Sequence, residues 1–258
     1  MFDLLNHKPK VNPLAKEIFI KNNNENLAIL IHGFTGSPRE MKELAFEINN
    51  KLNYSIYVPR LPGHGTNSKD FQTTDRKDWL RKVYDFLINN QNSYQNIHLI
   101  GISMGALISM LSSLHFKIKS LSLISPALYT TNRKILLTHL LKYIIPIVNK
   151  NYIIDKNIKD PNLIDLLKNY NSYDFTKQAS ELHKLMIETR LKLSKIKTPI
   201  RIFHSKNDQI VPIKASRKIY NNIKSSDKEL TIYEKSPHVI NYGPDKKKMF
   251  NKIIEFLT

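Results

Sequence analysis

The sequence predicts an α/β protein: a mostly parallel central sheet flanked by helices, with a helical cap inserted late in the chain. Three observations predict it. Short apolar runs alternate with longer amphipathic ones along most of the 258 residues. Several of those runs are nearly continuous in Ile, Leu and Val, as strands buried on both faces should be. The scarce glycines also fall just past such runs. The chain has seven, where average usage of roughly 7% would give about 18. Six come in pairs: Gly33 with Gly36, Gly63 with Gly65, and Gly101 with Gly105. A chain this poor in glycine keeps it where the backbone needs a positive φ or a close approach that a Cβ would block.

In chain order, a first strand is expected at 17–21 and a second at 27–32, which leads into Gly33 and Gly36. A helix at 38–51 follows, with Pro38 in its first turn and Ser37 as its cap. The strand at 55–59 precedes Gly63 and Gly65, and a helix spans 75–90. The strand at 97–101 ends on Gly101, a helix runs over 104–116, and a strand over 120–124. The alternation then stops. Residues 134–148, 161–170 and 175–193 read as helical, with no convincing strand among them. Strand, helix, strand and helix resume at 200–204, 213–223, 230–234 and 244–257. The expected organisation is a core domain of residues 1–128 and 186–258, with residues 129–185 as a helical cap between two sheet strands.

Composition narrows the function classes. Apolar residues at 41% and charged residues at 24% describe a globular chain. The absence of cysteine excludes a disulfide scaffold, a Cys-ligated metal or iron–sulfur site, and a thiol nucleophile. The net charge of +18 invites a nucleic-acid reading. Lys, however, supplies 32 of the 40 cationic side chains, whereas bidentate phosphate and base recognition favours Arg. The lysines are also spread out, with Lys246-Lys247-Lys248 as their longest run. No nucleic-acid partner is expected. Weak attraction to anionic membranes stays open, at about 1 kcal/mol per lysine near the surface. The stretch up to Leu14 is broken by polar residues and proline, so no signal peptide is expected. Residues 135–148 carry His139, Lys142 and Pro146 and fall short of the ~20 apolar residues that span a bilayer. The expected location is cytoplasmic.

The chemistry concentrates in three places. Gly101-Ile102-Ser103-Met104-Gly105 is a G-x-S-x-G pentapeptide between a strand and a helix. In that context the turn is sharp, small residues must flank the serine, and its Oγ projects above the sheet's C-terminal edge. Ser103 is the expected nucleophile. A serine needs a base, and the base an orienting carboxylate. His238, in Ser236-Pro237-His238-Val239 just past the last strand, is the expected base. Of the other histidines, His7 lies in the polar N-terminal stretch, His32 and His64 belong to the glycine motifs, His98 sits in a strand, and His115, His139 and His183 sit in helical patterns. His204 is the one serious rival, but it precedes the best acid by only four residues. That acid is Asp208, directly after the strand at 200–204. The loop after the preceding strand, Ser125-Pro126-Ala127-Leu128, holds no carboxylate, and Asp227 lies before the last strand, at the wrong sheet edge. Two backbone amides should form an oxyanion hole: that of Met104, after the nucleophile, and that of Phe34, in the loop His32-Gly33-Phe34-Thr35-Gly36. The side chains of Phe34 and Met104 are candidates to line the substrate site.

These motifs, with Ser37-Pro38, Arg60-Leu61-Pro62-Gly63-His64-Gly65, Ser125-Pro126-Ala127, Val211-Pro212 and Val239-Ile240, resemble the α/β-hydrolase superfamily, and more narrowly the bacterial carboxylesterases and monoacylglycerol lipases. The resemblance covers about residues 25–128 and 195–257; the cap matches only in position and helical character. Ala106 stands where many relatives have a third glycine, and Pro237 where small residues are common. The resemblance implies an α/β-hydrolase fold and a serine carboxylic-ester hydrolase working through an acyl-enzyme on Ser103, on a small ester or a monoacylglycerol, with no metal or organic cofactor. The same residues would also serve a lysophospholipase or an acyl-thioesterase. A catalytically silent binding module is the non-enzymatic alternative.

Overall fold

The computed structural model describes residues 9–154 and 158–258, so His7 lies outside the described residues. In chain order the elements are β1 (Ile18–Ile20), β2 (Asn26–Ile31), α1 (Arg39–Leu52), β3 (Ser55–Val58), α2 (Ser68–Thr73), α3 (Arg76–Asn90), β4 (Asn96–Ile102), α4 (Met104–Ser112) and β5 (Ser120–Ile124). There follow α5 (Thr138–Leu141), β6 (Val148–Asn149), α6 (Pro161–Asn171), β7 (Tyr173–Asp174), α7 (Thr176–Lys192), β8 (Ile200–Ser205), α8 (Lys214–Asn222), β9 (Lys228–Tyr233) and α9 (Lys246–Leu257).

Seven strands form one sheet in the order β1-β3-β2-β4-β5-β8-β9. All its pairings are parallel except the edge pair β1–β3. The continuous apolar runs follow from burial on both faces. Leu27, Ile29 and Ile31 of β2 join Trp79, Val83 and Leu107 on one side, while Ala28 and Leu30 join Met41, Ile48 and Phe250 on the other. Successive side chains of a strand point to opposite faces, so each face needs its own apolar half. Helices α3, α4, α7 and α8 cover the first face, and α1 and α9 the second. Because the six strands from β3 to β9 in the sheet order run parallel, the loops after β2, β4, β5, β8 and β9 leave at one edge.

The local departures from expectation have local causes. Helix α1 begins at Arg39 with Pro38 at its N-cap and no side-chain cap bond, so Ser37 is not the cap; the backbone closes the turn through Glu40 N–H to Ser37 O, 3.0 Å. Helix α4 stops at Ser112, short of 116, where the hydroxyls of Ser112 and Ser113 turn back on the carbonyls of Ile108 and Met110. The short helix α2 was not expected; Asn67 caps it through the amides of Lys69 and Asp70. Residues 134–148 are not one helix but a 3₁₀ turn at Arg133–Leu137, the four-residue α5, and a turn that ends before Pro146. Ile145 precedes that proline, and a residue in that position is sterically pushed out of the helical region. Strands β6 and β7 then pair antiparallel, Val148 with Asp174 and Asn149 with Tyr173, in a region read as free of strands. Among the described residues, no helix is long and apolar enough to cross a membrane.

Candidate active site

Ser103 sits between β4 and α4 with φ 54° and ψ −112°, a backbone conformation that a residue with a Cβ rarely adopts. The turn is held on both sides: Ser103 N–H donates to Ile124 O at 2.9 Å, and Ser103 O accepts from Ala127 N–H at 3.2 Å. The flanking glycines allow this closeness. A Cβ on Gly101 would lie 2.4 Å from the Gly105 carbonyl carbon, and one on Gly105 would lie 2.1 Å from Ile31 O. The start of α4 thus packs directly on the ends of β2 and β4. Ala106, next to Gly105, is buried in the core.

Two loops further along the sheet, Asp208 and His238 meet. His238 Nδ1–H donates to Asp208 Oδ2 at 2.6 Å, while Asp208 Oδ1 accepts the amides of Ile210 (2.9 Å) and Val211 (2.8 Å). Burial pushes the Asp208 carboxyl up, but the His238 bond and charge and the two amides outweigh it and hold it below the ordinary carboxylate value. An ionised Asp208 fixes the His238 tautomer with Nε2 as the free lone pair. Ser125, at φ 45°, donates its Oγ–H to His238 O at 2.8 Å, and Ser205 Oγ–H donates to Ser236 O, so two hydroxyls from neighbouring strand ends hold the histidine loop.

His204 is fully enclosed and already occupied. Its Nε2 faces Val211 O at 3.0 Å and its Nδ1 faces Ser216 Oγ at 2.6 Å. A carbonyl can only accept, so Nε2 carries the proton and Nδ1 accepts from the serine. Burial lowers its pKa, partly offset by Val211 O and Asp208. Asp227 pairs with Arg201 at 2.6 Å, away from this edge.

The loop after β2 runs alongside the serine: a Cβ on Gly33 would sit 3.3 Å from Ser103 Cβ. Phe34, half-buried, packs its ring edge-on against Phe71 (5.4 Å) and Trp79 (6.0 Å). Met104, the first residue of α4, is fully buried among the core side chains. His32 and His64 are buried; burial lowers His32 to about 4 and His64 well below its ordinary value. His32 Nε2 accepts the Leu61 amide at 3.2 Å, which ties the first glycine loop to the second.

Three contributors were not anticipated. Glu40, in the first turn of α1, reaches back to accept the Gly33 amide at 3.0 Å. Burial pushes its carboxyl up, against the pull of that amide, His238 and Arg39. Tyr170, at the end of α6, donates to Gly63 O at 2.7 Å and accepts from Thr66 N–H at 3.0 Å. Phe175 lies edge-on to Phe71 at 4.8 Å. The only sequence signal for the last two is that aromatic residues stand out in a segment rich in Asn and Lys. Among the described residues, no group of three His, Asp or Glu side chains is placed to hold a metal.

Comparisons with known proteins bear on the family and the fold. The Hydrolase_4 family model, described as serine aminopeptidase, S33, matches residues 22–245. The chain is 30% identical over 248 residues to a thermostable monoacylglycerol lipase of Bacillus sp. (strain H-257), covering 94% of each. It is 22% identical over 242 residues to a carboxylesterase of Bacillus subtilis (strain 168), covering 93% of this chain and 95% of that one. Among solved structures, one from work on the metagenome-derived lipolytic enzymes LipS and LipT superposes with a TM-score of 0.84 at 23% identity, covering 96% of this chain and 99% of that one. The match runs from β2 through β9 and takes in the strained serine, the acid loop and the histidine loop alike, so the chain belongs to the Hydrolase_4 family of serine hydrolases and has the α/β-hydrolase fold.

Proposed function

We propose that the protein is a serine carboxylic-ester hydrolase acting on small lipid esters of the monoacylglycerol class, with Ser103 as nucleophile, His238 as base, Asp208 as orienting acid and the Phe34 and Met104 amides as oxyanion donors. The observation that carries this reading is the Asp208–His238 hydrogen bond of 2.6 Å at the same sheet edge as the strained Ser103. The monoacylglycerol lipase relative supports the substrate class. His238 Nε2 takes the Ser103 proton as Oγ attacks the ester carbonyl carbon. The two amides hold the oxyanion. The alcohol leaves with the proton from His238, and Ser103 keeps the acyl group. Water then gives a proton to His238 as its oxygen attacks the acyl carbon, and His238 returns that proton to Ser103 Oγ as the Ser103–acyl bond breaks and the acid is released. Asp208 stabilises the imidazolium in both steps.

Residues 129–185 form the cap in this reading, on a core of 1–128 and 186–258. What supports it is the anchoring of Tyr170 and Phe175 on the His64 loop and Phe71. Its outer side carries Leu140, Tyr143, Ile144 and Ile153, each at least 74% exposed. Arg133, Lys134, Lys142 and Lys150 lie in the same segment. That pairing of apolar surface with cations fits weak peripheral contact with an anionic lipid surface. A cytoplasmic location is retained as part of the proposal.

The test is hydrolysis of p-nitrophenyl esters of two to sixteen carbons by wild type and Ser103→Ala. The variant should lose kcat by as much as ~10⁶, the scale set by removing a serine-protease nucleophile. Activity retained in the variant sinks the assignment. Monoolein, lysophosphatidylcholine, an acyl-CoA and an aminoacyl p-nitroanilide, run side by side, separate the lipase reading from lysophospholipase, thioesterase and aminopeptidase. A folded wild type that turns over none of them and resists a fluorophosphonate is a silent binding module.

A further inference from the structure

We propose that Glu40 is a positioning residue for this reaction, a side-chain strut that sets the orientation of the loop carrying the Phe34 amide. The inference rests on the reading of Ser103 and Phe34 above. Within the loop His32–Gly36, His32 Nδ1–H donates to Gly33 O at 2.9 Å while its Nε2 accepts the Leu61 amide. Gly36 N–H donates to Gly33 O at 3.1 Å, which closes the turn on itself, and Thr35 sits at φ 57° with its hydroxyl on Phe34 O. The Gly33 amide is turned away from that turn and is satisfied by Glu40 Oε2 at 3.0 Å. The carboxylate fills the concave side of the loop: a Cβ on Gly36 would lie within 2.6 Å of its Cδ and both oxygens.

Glu40 is also tied to the other side of the site. Asn241, just past His238, donates its Nδ2–H to the Glu40 carbonyl at 2.7 Å, and Arg39 Nη1 donates to Tyr242 Oη at 3.0 Å. The first turn of α1 therefore grips the loop beside Ser103 with a side chain and the histidine loop with its backbone. The Phe34 N–H shares its peptide plane with Gly33 O, which accepts from Gly36 N–H and His32 Nδ1. Two soft dihedrals at Gly33 separate that plane from the Gly33 N–H, so Glu40 pins the near side of the hinge while the carbonyl bonds pin the far side. An oxyanion donor must be aimed before the charge develops, because aiming it during the reaction costs free energy at the transition state. What Glu40 supplies is an acceptor at a set reach, so a neutral acceptor of the same length should serve, and a shorter acid should not.

The experiment compares Glu40→Gln, Glu40→Asp and Glu40→Ala with wild type, after thermal melts establish that each is folded. Two readouts are used: kcat and KM on p-nitrophenyl butyrate, and the rate of Ser103 labelling by a fluorophosphonate, which needs no natural substrate. Glu40→Gln should keep kcat within about threefold, because its amide oxygen still accepts from Gly33. Glu40→Ala and Glu40→Asp should lose kcat about 10–100-fold, below the 10²–10³ for outright loss of an oxyanion donor. KM should change less than about threefold, and labelling should slow in parallel with kcat. Glu40→Asp keeps the test open if Glu40→Ala does not fold. The proposal is overturned if folded Glu40→Ala or Glu40→Asp stays within twofold of wild type, if Glu40→Gln is as poor as Glu40→Ala, or if KM alone moves. A wild type that neither turns over esters nor labels overturns the nucleophile reading and this inference together. An active wild type with indifferent Glu40 variants overturns this inference alone.

Discussion

Ser103, Gly101 and Gly105 show how a few residues set the geometry of the site. The serine's positive φ costs backbone strain, and the structure holds it there because the turn is bonded to the end of β5 and to the loop that follows it. Gly105 is the more exacting position. Its missing Cβ is the space occupied by Ile31 O, a backbone atom that cannot rotate aside. Gly105→Ala should therefore destabilise the protein by about 3 kcal/mol, the upper part of the range for overpacking a tight core. A urea midpoint equal to wild type would show that β2 can give way. The motif announced Ser103 and both glycines, because a strand–turn–helix with small flanking residues has few other uses. Glu40 was not legible. Nothing in its neighbourhood of charged residues distinguishes it until the helix direction turns its carboxylate back to Gly33.

At the scale of elements, the strands were readable because their apolar runs are long enough to show burial on both faces. The cap was not. Residues 134–148 have the composition of an amphipathic helix, but Pro146 and the β-branched residues before it cut the segment into short turns. Strands of two residues, such as β6 and β7, carry no period at all. The consequence is an apolar surface that the core does not cover: Leu140 and Ile144 point outward at 74% and 78% exposure. If that surface meets lipid, vesicles containing phosphatidylglycerol should raise activity on long-chain esters and leave acetate hydrolysis alone. Leu140→Ser with Ile144→Ser should abolish the rise without changing hydrolysis of short esters. An identical response in the double variant would remove this surface from the account.

For the whole molecule, burial of both sheet faces leaves several histidines without water. His32 and His98 are each lowered to about 4 chiefly by burial, with His98 Nδ1 held by Ser120 Oγ at 2.7 Å. Their folded pKa lies below the unfolded value near 6.5, so the neutral forms are the ones that fold well. Stability is then full above about pH 6.5 and falls as pH drops towards 4. At about 1.4 kcal/mol per unit, each ring costs roughly 3 kcal/mol by that point. The depressed Asp208 carboxyl acts in the same direction at lower pH. Urea unfolding followed by the single, fully buried Trp79 should give a clearly lower midpoint at pH 4.5 than at pH 7.5, and His98→Asn should flatten the dependence. Equal midpoints at the two pH values would mean that these rings are hydrated in the folded protein.

The sequence by itself determined the layered fold, the edge on which the loops gather, and the chain order Ser103, Asp208, His238. Each of these follows from local patterns, namely apolar runs, glycine punctuation and a short motif with a steric reason. Only the tertiary structure decided what holds those residues in place. Glu40 behind Gly33, Ser125 under His238, and Tyr170 on the Gly63 loop are contacts between elements, the last across 107 residues of chain. Such contacts depend on how helices and loops are oriented once the sheet is assembled. A single polar side chain aimed at a distant amide or carbonyl leaves no periodicity in the sequence to betray it.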